Sequence, residues 1–226
     1  MEADGVAVDR FRQCVDLGDA SVAEAVTMLA LFHYPNLSVE AIGQALDVLA
    51  ATVPSATRES LVATLFGPGG FAGNTTDYYD PDNSYLHRVL ERRLGNPISL
   101  AFIAIEVGRR IGVPLRGVGF PGHFLLRDVR EPDMFIDPFG GRVLTEGECV
   151  VWFYQSHPAG PAWQRDFLEP VGPDLLLSRM IGNLVAIFER NRDFGAIQWL
   201  MRLRCSLPNA TEADRRAFAR MMFPMN

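Results

Sequence analysis

The chain has no lysine; all 21 of its basic residues are arginine. With no ε-amine available, Schiff-base chemistry, a lysine general base and a Walker-type phosphate loop are excluded. The bias itself reads as genomic base composition. Cysteine is also scarce. Cys14, Cys149 and Cys205 lie far apart, form no C-x-x-C pair and give no even-numbered framework. A reducing cytoplasm is the compartment expected from such usage. No stretch approaches the roughly 18 uninterrupted apolar residues that span a bilayer, and the acidic start MEADGVAVDRFRQ lacks a signal-peptide core, so no membrane association is expected. Positive charge is in deficit, with a net charge of -6. A phosphate-binding face needs the opposite balance, and no nucleic-acid partner is expected.

What is present is an ordinary globular composition, 48% apolar and 21% charged over 226 residues. The first third reads as helical: Val6 to Asp16, a second helix opened by the Ser21/Glu24 capping box and ending before Pro35, a third capped by Ser38, and a fourth from Ala56 to Phe66. Val39, Ile42, Leu46 and Leu49 share one face of the third. Gly67-Pro68-Gly69-Gly70 stops the fourth. A long turn-rich passage with Asn74, Tyr78, Tyr79, Asp80 and Asn83 follows, and its residues either brace the fold or line a pocket. The next helix, from Ser84, presents Arg88, Glu91 and Arg92 as a solvated face.

Gly95-Asn96-Pro97-Ile98-Ser99-Leu100-Ala101 opens the most apolar helix of the chain, with Asn96 as N-cap and Pro97 at the first helical position. A helix apolar on nearly every side is buried on nearly every side. Beyond Pro114 the pattern shortens into strand-like runs at Gly117–Phe120, His123–Val129 and Met134–Asp137, parted by Pro121-Gly122 and Glu131-Pro132-Asp133, with Arg142–Leu144 as a further candidate. A small antiparallel sheet packed on the central helix is the simplest assembly. Thr145/Glu148 caps another helix, and an antiparallel pair follows, one helix from Leu176 and one after Asn191-Arg192-Asp193, with a last helix from Thr211 to Met222. The expected organisation is a helical subdomain over residues 1–66, a mixed core over 67–156 and a helical segment over 157–226 packed on that core.

The strings YYDPDNSYL, VGFPGHF and IDPF, set in GFAGNTTDYYDPDNSYLHRVLERRLGNPISLAFIAIEVGRRIGVPLRGVGFPGHFLLR, resemble the SirB-type branch of the transglutaminase-like superfamily over roughly residues 25–155. The resemblance implies an α+β, papain-like core followed by tetratricopeptide-like helices. In catalytically active relatives the central helix opens on Gly-x-Cys, and the cysteine is the nucleophile. Here Pro97 stands at the matching position, while His123 matches the family histidine and Asp137 its acid. A helix N-terminus lowers a thiol pKa and a histidine with an acid behind it completes the activation, so the orienting pair is present without its nucleophile.

Ser99 lies two positions further, about 200° around the helix, and is either a cap or a substitute hydroxyl. Cys149 is either apolar filler or a displaced thiol. A metal held by His123, Asp137 and His87 or Asp80 lacks any close-spaced ligand motif, so no metal and no cofactor are expected. The expected function is a non-catalytic binding module for a peptide, a protein or a small ligand, with Asn74, Tyr78, Tyr79, Asp80, Asn83 and Pro97 at the site. The alternative is a hydrolase, amidase or acyltransferase in which His123 and Asp137 work with water, Ser99 or a metal.

Overall fold

The computed structural model describes residues 2–18 and 22–222; Ser21, the expected cap of the second helix, lies outside them. The N-terminal part holds α1 (Glu2–Asp16), α2 (Val22–Met28), α3 (Val39–Ala51) and α4 (Arg58–Phe66). Helix α2 stops earlier than expected. The backbone from Leu29 to Leu37 tightens instead into successive i to i+3 turns. Ser38 caps α3 by accepting from the Ala41 N–H, and Ile42, Leu46 and Ala50 face inward. Thr57 caps α4 in the same way, and the helix ends at Gly67.

A two-residue strand, β1 (Ala72–Gly73), pairs in parallel with β2 (Leu94–Gly95), closing the turn-rich loop and α5 (Leu86–Arg92) into one excursion. Gly95 leads directly into α6 (Pro97–Ile111). Asn96 and Ser99 form a reciprocal cap at its start, Pro97 fills the first turn, and Gly112 ends it in the left-handed region at φ 78°. Nearly the whole of α6 is buried, Leu100, Ala101, Ile103, Ala104 and Val107 completely.

The sheet is four-stranded and antiparallel, in the order β3 (Leu115–Val118), β4 (Leu125–Asp128), β5 (Glu131–Asp137) and β6 (Arg142–Thr145). Two expectations are corrected. Glu131-Pro132-Asp133 is not a separator but the beginning of β5. It is tolerated there because β6 pairs only from Met134 onward, so the missing Pro132 N–H leaves no ladder bond open on that side. His123 lies not on a strand but in the turn before β4, where its N–H bonds the Phe120 carbonyl.

Alternation along the strands divides the core. Leu126 and Ile136 join the main cluster around α6, whereas Leu125 and Phe135 point to a second cluster with Val118, Leu144, Cys149 and Phe153. That second cluster is covered by α7 (Glu146–Ser156), whose start is the Thr145/Glu148 capping box. The sheet is thus sandwiched between α6 and α7.

The remaining chain forms α8 (Pro173–Asn191), α9 (Phe194–Ser206) and α10 (Glu212–Met222). Asp193 caps α9 and, from that joint, accepts from His33, which also bonds the Tyr85 hydroxyl. Trp199 donates its indole N–H to the Met28 carbonyl, and α1 packs against both α2 and α9. One contiguous core therefore draws on α1 to α6, α8 and α9, with α7 on the second cluster. No helix among the described residues is long and apolar enough to cross a membrane.

Candidate functional site

The site grows out of three turns, two of which are joined through the third, by Asn83–Ser99 on one side and Tyr78–Phe139 on the other. The first is Asp137-Pro138-Phe139-Gly140, between β5 and β6. Asp137 folds its own turn by accepting from the Phe139 and Gly140 N–H groups on Oδ1, at 3.1 and 3.0 Å. The same oxygen receives the His123 Nε2–H at 2.8 Å, and Oδ2 receives Arg142 Nε at 3.1 Å. Burial alone would push this carboxyl upward. The His123 ring, the Gly140 N–H and the Arg142 guanidinium outweigh it and hold Asp137 below the ordinary aspartate range.

Because Asp137 is ionised, Nε2 must be the donor, and in the neutral ring Nδ1 carries the free lone pair. Nδ1 makes no hydrogen bond among the described residues. The ring is fixed on two sides by edge contacts to Trp152 and Phe139, with centroids 4.6 and 6.0 Å away. A cavity of about 230 Å³ opens beside it, lined by Phe120, Pro121, Gly122, His123, Trp152 and His157. The turn that carries His123 is tied from outside by Arg179 of α8, which donates to the Phe120 and His123 carbonyls.

The second turn is the start of α6. Pro97 is buried, and Ser99 is fully buried. Its hydroxyl donates to the Asn83 carbonyl at 2.6 Å and accepts from the Asn96 N–H at 3.1 Å. Gly95 is required here, since a Cβ would stand 2.7 Å from Ser99 Oγ. Ser99→Ala should cost about 0.5–1.5 kcal/mol in urea unfolding, because the Asn83 carbonyl and the Asn96 N–H each lose one bond while still bonding each other at 3.1 Å. A loss below about 0.5 kcal/mol would show the hydroxyl to be dispensable.

The third turn is the loop from Asn74 to Ser84. Asn74 and Asn83 are buried and bonded to each other, and Asn83 also holds the Asp77 and Tyr78 carbonyls. Asp80 caps the short 3-10 turn Pro81–Asn83 and pairs with Arg92, while Asp82 pairs with Arg88. The Arg88/Arg92 face is therefore corrected: these side chains clamp the loop rather than merely face solvent. Tyr78 and Tyr79 remain 44% and 50% exposed. Tyr78 edges onto Phe139, so the tyrosines are one ring removed from His123. Gly73 lets Phe139 lie there, as a Cβ would approach that ring to 2.5 Å.

The sequence model of a family described as "Transglutaminase-like superfamily" matches residues 38–182, well over half of the chain. The chain belongs to the transglutaminase-like superfamily. It is 42% identical over 162 residues to a UPF0162 protein of Xylella fastidiosa strain Temecula1, covering 67% of this chain and 56% of that one. It is 31% identical over 179 residues to a UPF0162 protein of Pseudomonas aeruginosa, covering 76% and 66% respectively. F-box only protein 21 of Mus musculus is 34% identical over 168 residues, 70% of this chain but 26% of its own length. The chain thus spans little more than half the length of the Xylella relative. No solved structure matches it significantly.

Within this transglutaminase-like domain, His123 and Asp137 are brought together and the other candidates are not joined to them. Cys149 is buried in the cluster under α7, where burial pushes its thiol up to about 12. His87 packs on Tyr34 and Tyr85, and Asp80 is engaged by Arg92. Among the described residues no group of three His, Cys, Asp or Glu side chains is placed to hold a metal. Three members of the site carried no signal in the reading of the sequence: Arg142, Trp152 and Arg179. Only Arg142 could have been found, as the residue opposite Asp137 in the β5–β6 hairpin.

Proposed function

We propose that this transglutaminase-like domain, of the SirB-type branch, is a binding module for a peptide, protein or small ligand and has given up covalent catalysis. The observation that carries this reading is that, among the described residues, no activated nucleophile accompanies the His123–Asp137 pair. Pro97 occupies the matching helix position, the Ser99 hydroxyl is spent on the Asn83 carbonyl, and the Cys149 thiol stays protonated in an apolar cluster. In this reading Asp137 fixes the His123 ring so that Nδ1 faces the ligand as an acceptor. Tyr78 and Tyr79 offer contact surface, Asn74, Asp80 and Asn83 hold the loop that carries them, and Pro97 belongs to the floor. The helices after Pro173 act as a tetratricopeptide-like buttress of the mixed core. The three unpaired cysteines suit a cytoplasmic setting.

The free Nδ1 favours one second reading, a hydrolase in which His123 activates water directly. A single comparison separates the two. Wild type and His123→Ala are assayed for hydrolysis and acyl transfer on p-nitrophenyl acetate and a panel of peptide amides. Equal rates, within about twofold of each other, are expected. Turnover that disappears in His123→Ala overturns the binding reading.

A further inference from the structure

Arg179 and Arg190 lie eleven positions apart on α8, which returns them to the same face of the helix about 16 Å apart. Between them on that face stand Gly182, Asn183 and Ala186, all exposed, and nothing lies within 4 Å of where a Gly182 side chain would begin. Opposite is the tyrosine loop. The Arg190 guanidinium sits 3.8 Å over the Tyr79 ring, and Tyr78 packs edge-on against Tyr79.

Neither arginine has a carboxylate partner among the described residues. Arg179 bonds only the Phe120 and His123 carbonyls and lies over the Phe124 ring, with its Nε uncommitted. Arg190 has only the Tyr79 ring. Arg179, partly buried without a counter-charge, keeps its desolvation cost uncompensated, while Arg190 is exposed; the planar donors of both select carboxylates. Such a pair is conspicuous in a chain of net charge -6 whose other loop-facing arginines, Arg88 and Arg92, are neutralised by Asp80 and Asp82.

We propose that this face of α8, with Tyr78 and Tyr79 opposite, seats an acidic peptide segment whose carboxylates engage Arg179 and Arg190. The inference rests on the binding reading of the cleft and names its ligand class. The separation of the arginines corresponds to about five residues of extended chain at roughly 3.3 Å each. The bare stretch at Gly182 leaves room for a backbone, and the Asn183 amide can both donate to it and accept from it. Two charges that far apart fit discrete carboxylates, whereas a nucleic-acid strand offers closely spaced phosphates that the net negative chain repels.

The test is fluorescence anisotropy on the full chain. The probes are a labelled alanine–serine peptide with two glutamates about five residues apart and its glutamine counterpart. The glutamate peptide should bind at least about tenfold tighter than the glutamine one, and more weakly as salt rises. Arg190→Gln should lose about three- to tenfold in affinity and Arg179→Gln more. Should Arg179→Gln fail to fold, the exposed Arg190→Gln still decides. Four outcomes overturn the proposal: no binding at about 1 mM peptide, equal affinity for the two peptides, an unchanged affinity in Arg190→Gln, or equally tight binding of a thymidine oligonucleotide. His123-dependent turnover would instead overturn the binding reading and leave the glutamate–glutamine contrast standing.

Discussion

Asp137→Ala is expected to lower the unfolding free energy by about 3–5 kcal/mol, the largest effect of any single polar substitution in the domain. The carboxylate is 2% exposed and collects the His123 ring N–H, two backbone N–H groups and the Arg142 guanidinium. Its removal leaves the His123 ring N–H and the Phe139 and Gly140 N–H groups without their acceptor, while the half-exposed Arg142 can turn to water. Asp137→Asn keeps an acceptor oxygen and should cost less, because only the Arg142 side then meets the wrong group. The pH dependence follows in sign. The folded-state pKa of Asp137 lies below its unfolded value, so its contribution is present above about pH 4 and lost as pH falls through the folded pKa. Urea midpoints followed from pH 6 downward should therefore fall more steeply for wild type than for Asp137→Asn. A cost below about 1 kcal/mol for Asp137→Ala would mean that the turn re-satisfies its donors from solvent.

Phe124→Ala should cost a comparable amount, about 3–5 kcal/mol. The ring is 1% exposed at the foot of the His123 turn, and a Cβ on Gly117 would come within 2.7 Å of it. Close backbone approach on that side limits collapse, so much of the vacated volume persists as a cavity. The substitution also strips Arg179 of the aromatic face beneath it, 5.4 Å from the guanidinium carbon. Phe124→Leu refills most of the space and should lose about 1–1.5 kcal/mol. The two variants differ in one further respect. Loosening the turn also loosens His123, so ligand affinity should fall more in the alanine variant than stability alone requires. Equal denaturation midpoints for both variants would show that the ring is not an anchor of the turn.

The helix starts were legible because their chemistry is local. Ser38, Asn96-Pro97 and Thr145/Glu148 each satisfy backbone donors within three residues, whatever the rest of the molecule does. The His123–Asp137 pair was legible only through the strings that surround it. The strand containing Pro132 was not, because proline is disfavoured by a neighbour on its N–H side, and whether such a neighbour exists is decided by where β6 begins. Trp152 and Arg179 reach the site from α7 and α8, elements whose apolar stripes set their packing but not which polar or aromatic residue faces His123. Arg88 and Arg92 read as solvated for the same reason, since their aspartate partners sit on a loop that is folded back by the buried pair Asn74–Asn83.

The packing of α1 against α9 has a consequence for synthesis on the ribosome. Phe11 and Cys14, completely buried in the finished domain, are made nearly two hundred residues before the α9 surface that helps cover them. At roughly 5–20 residues per second α1 waits on the order of ten seconds or more with α2 against it and the α9 side of its apolar face uncovered. The α1–α2 pair therefore keeps one apolar face open to other chains until α9 emerges.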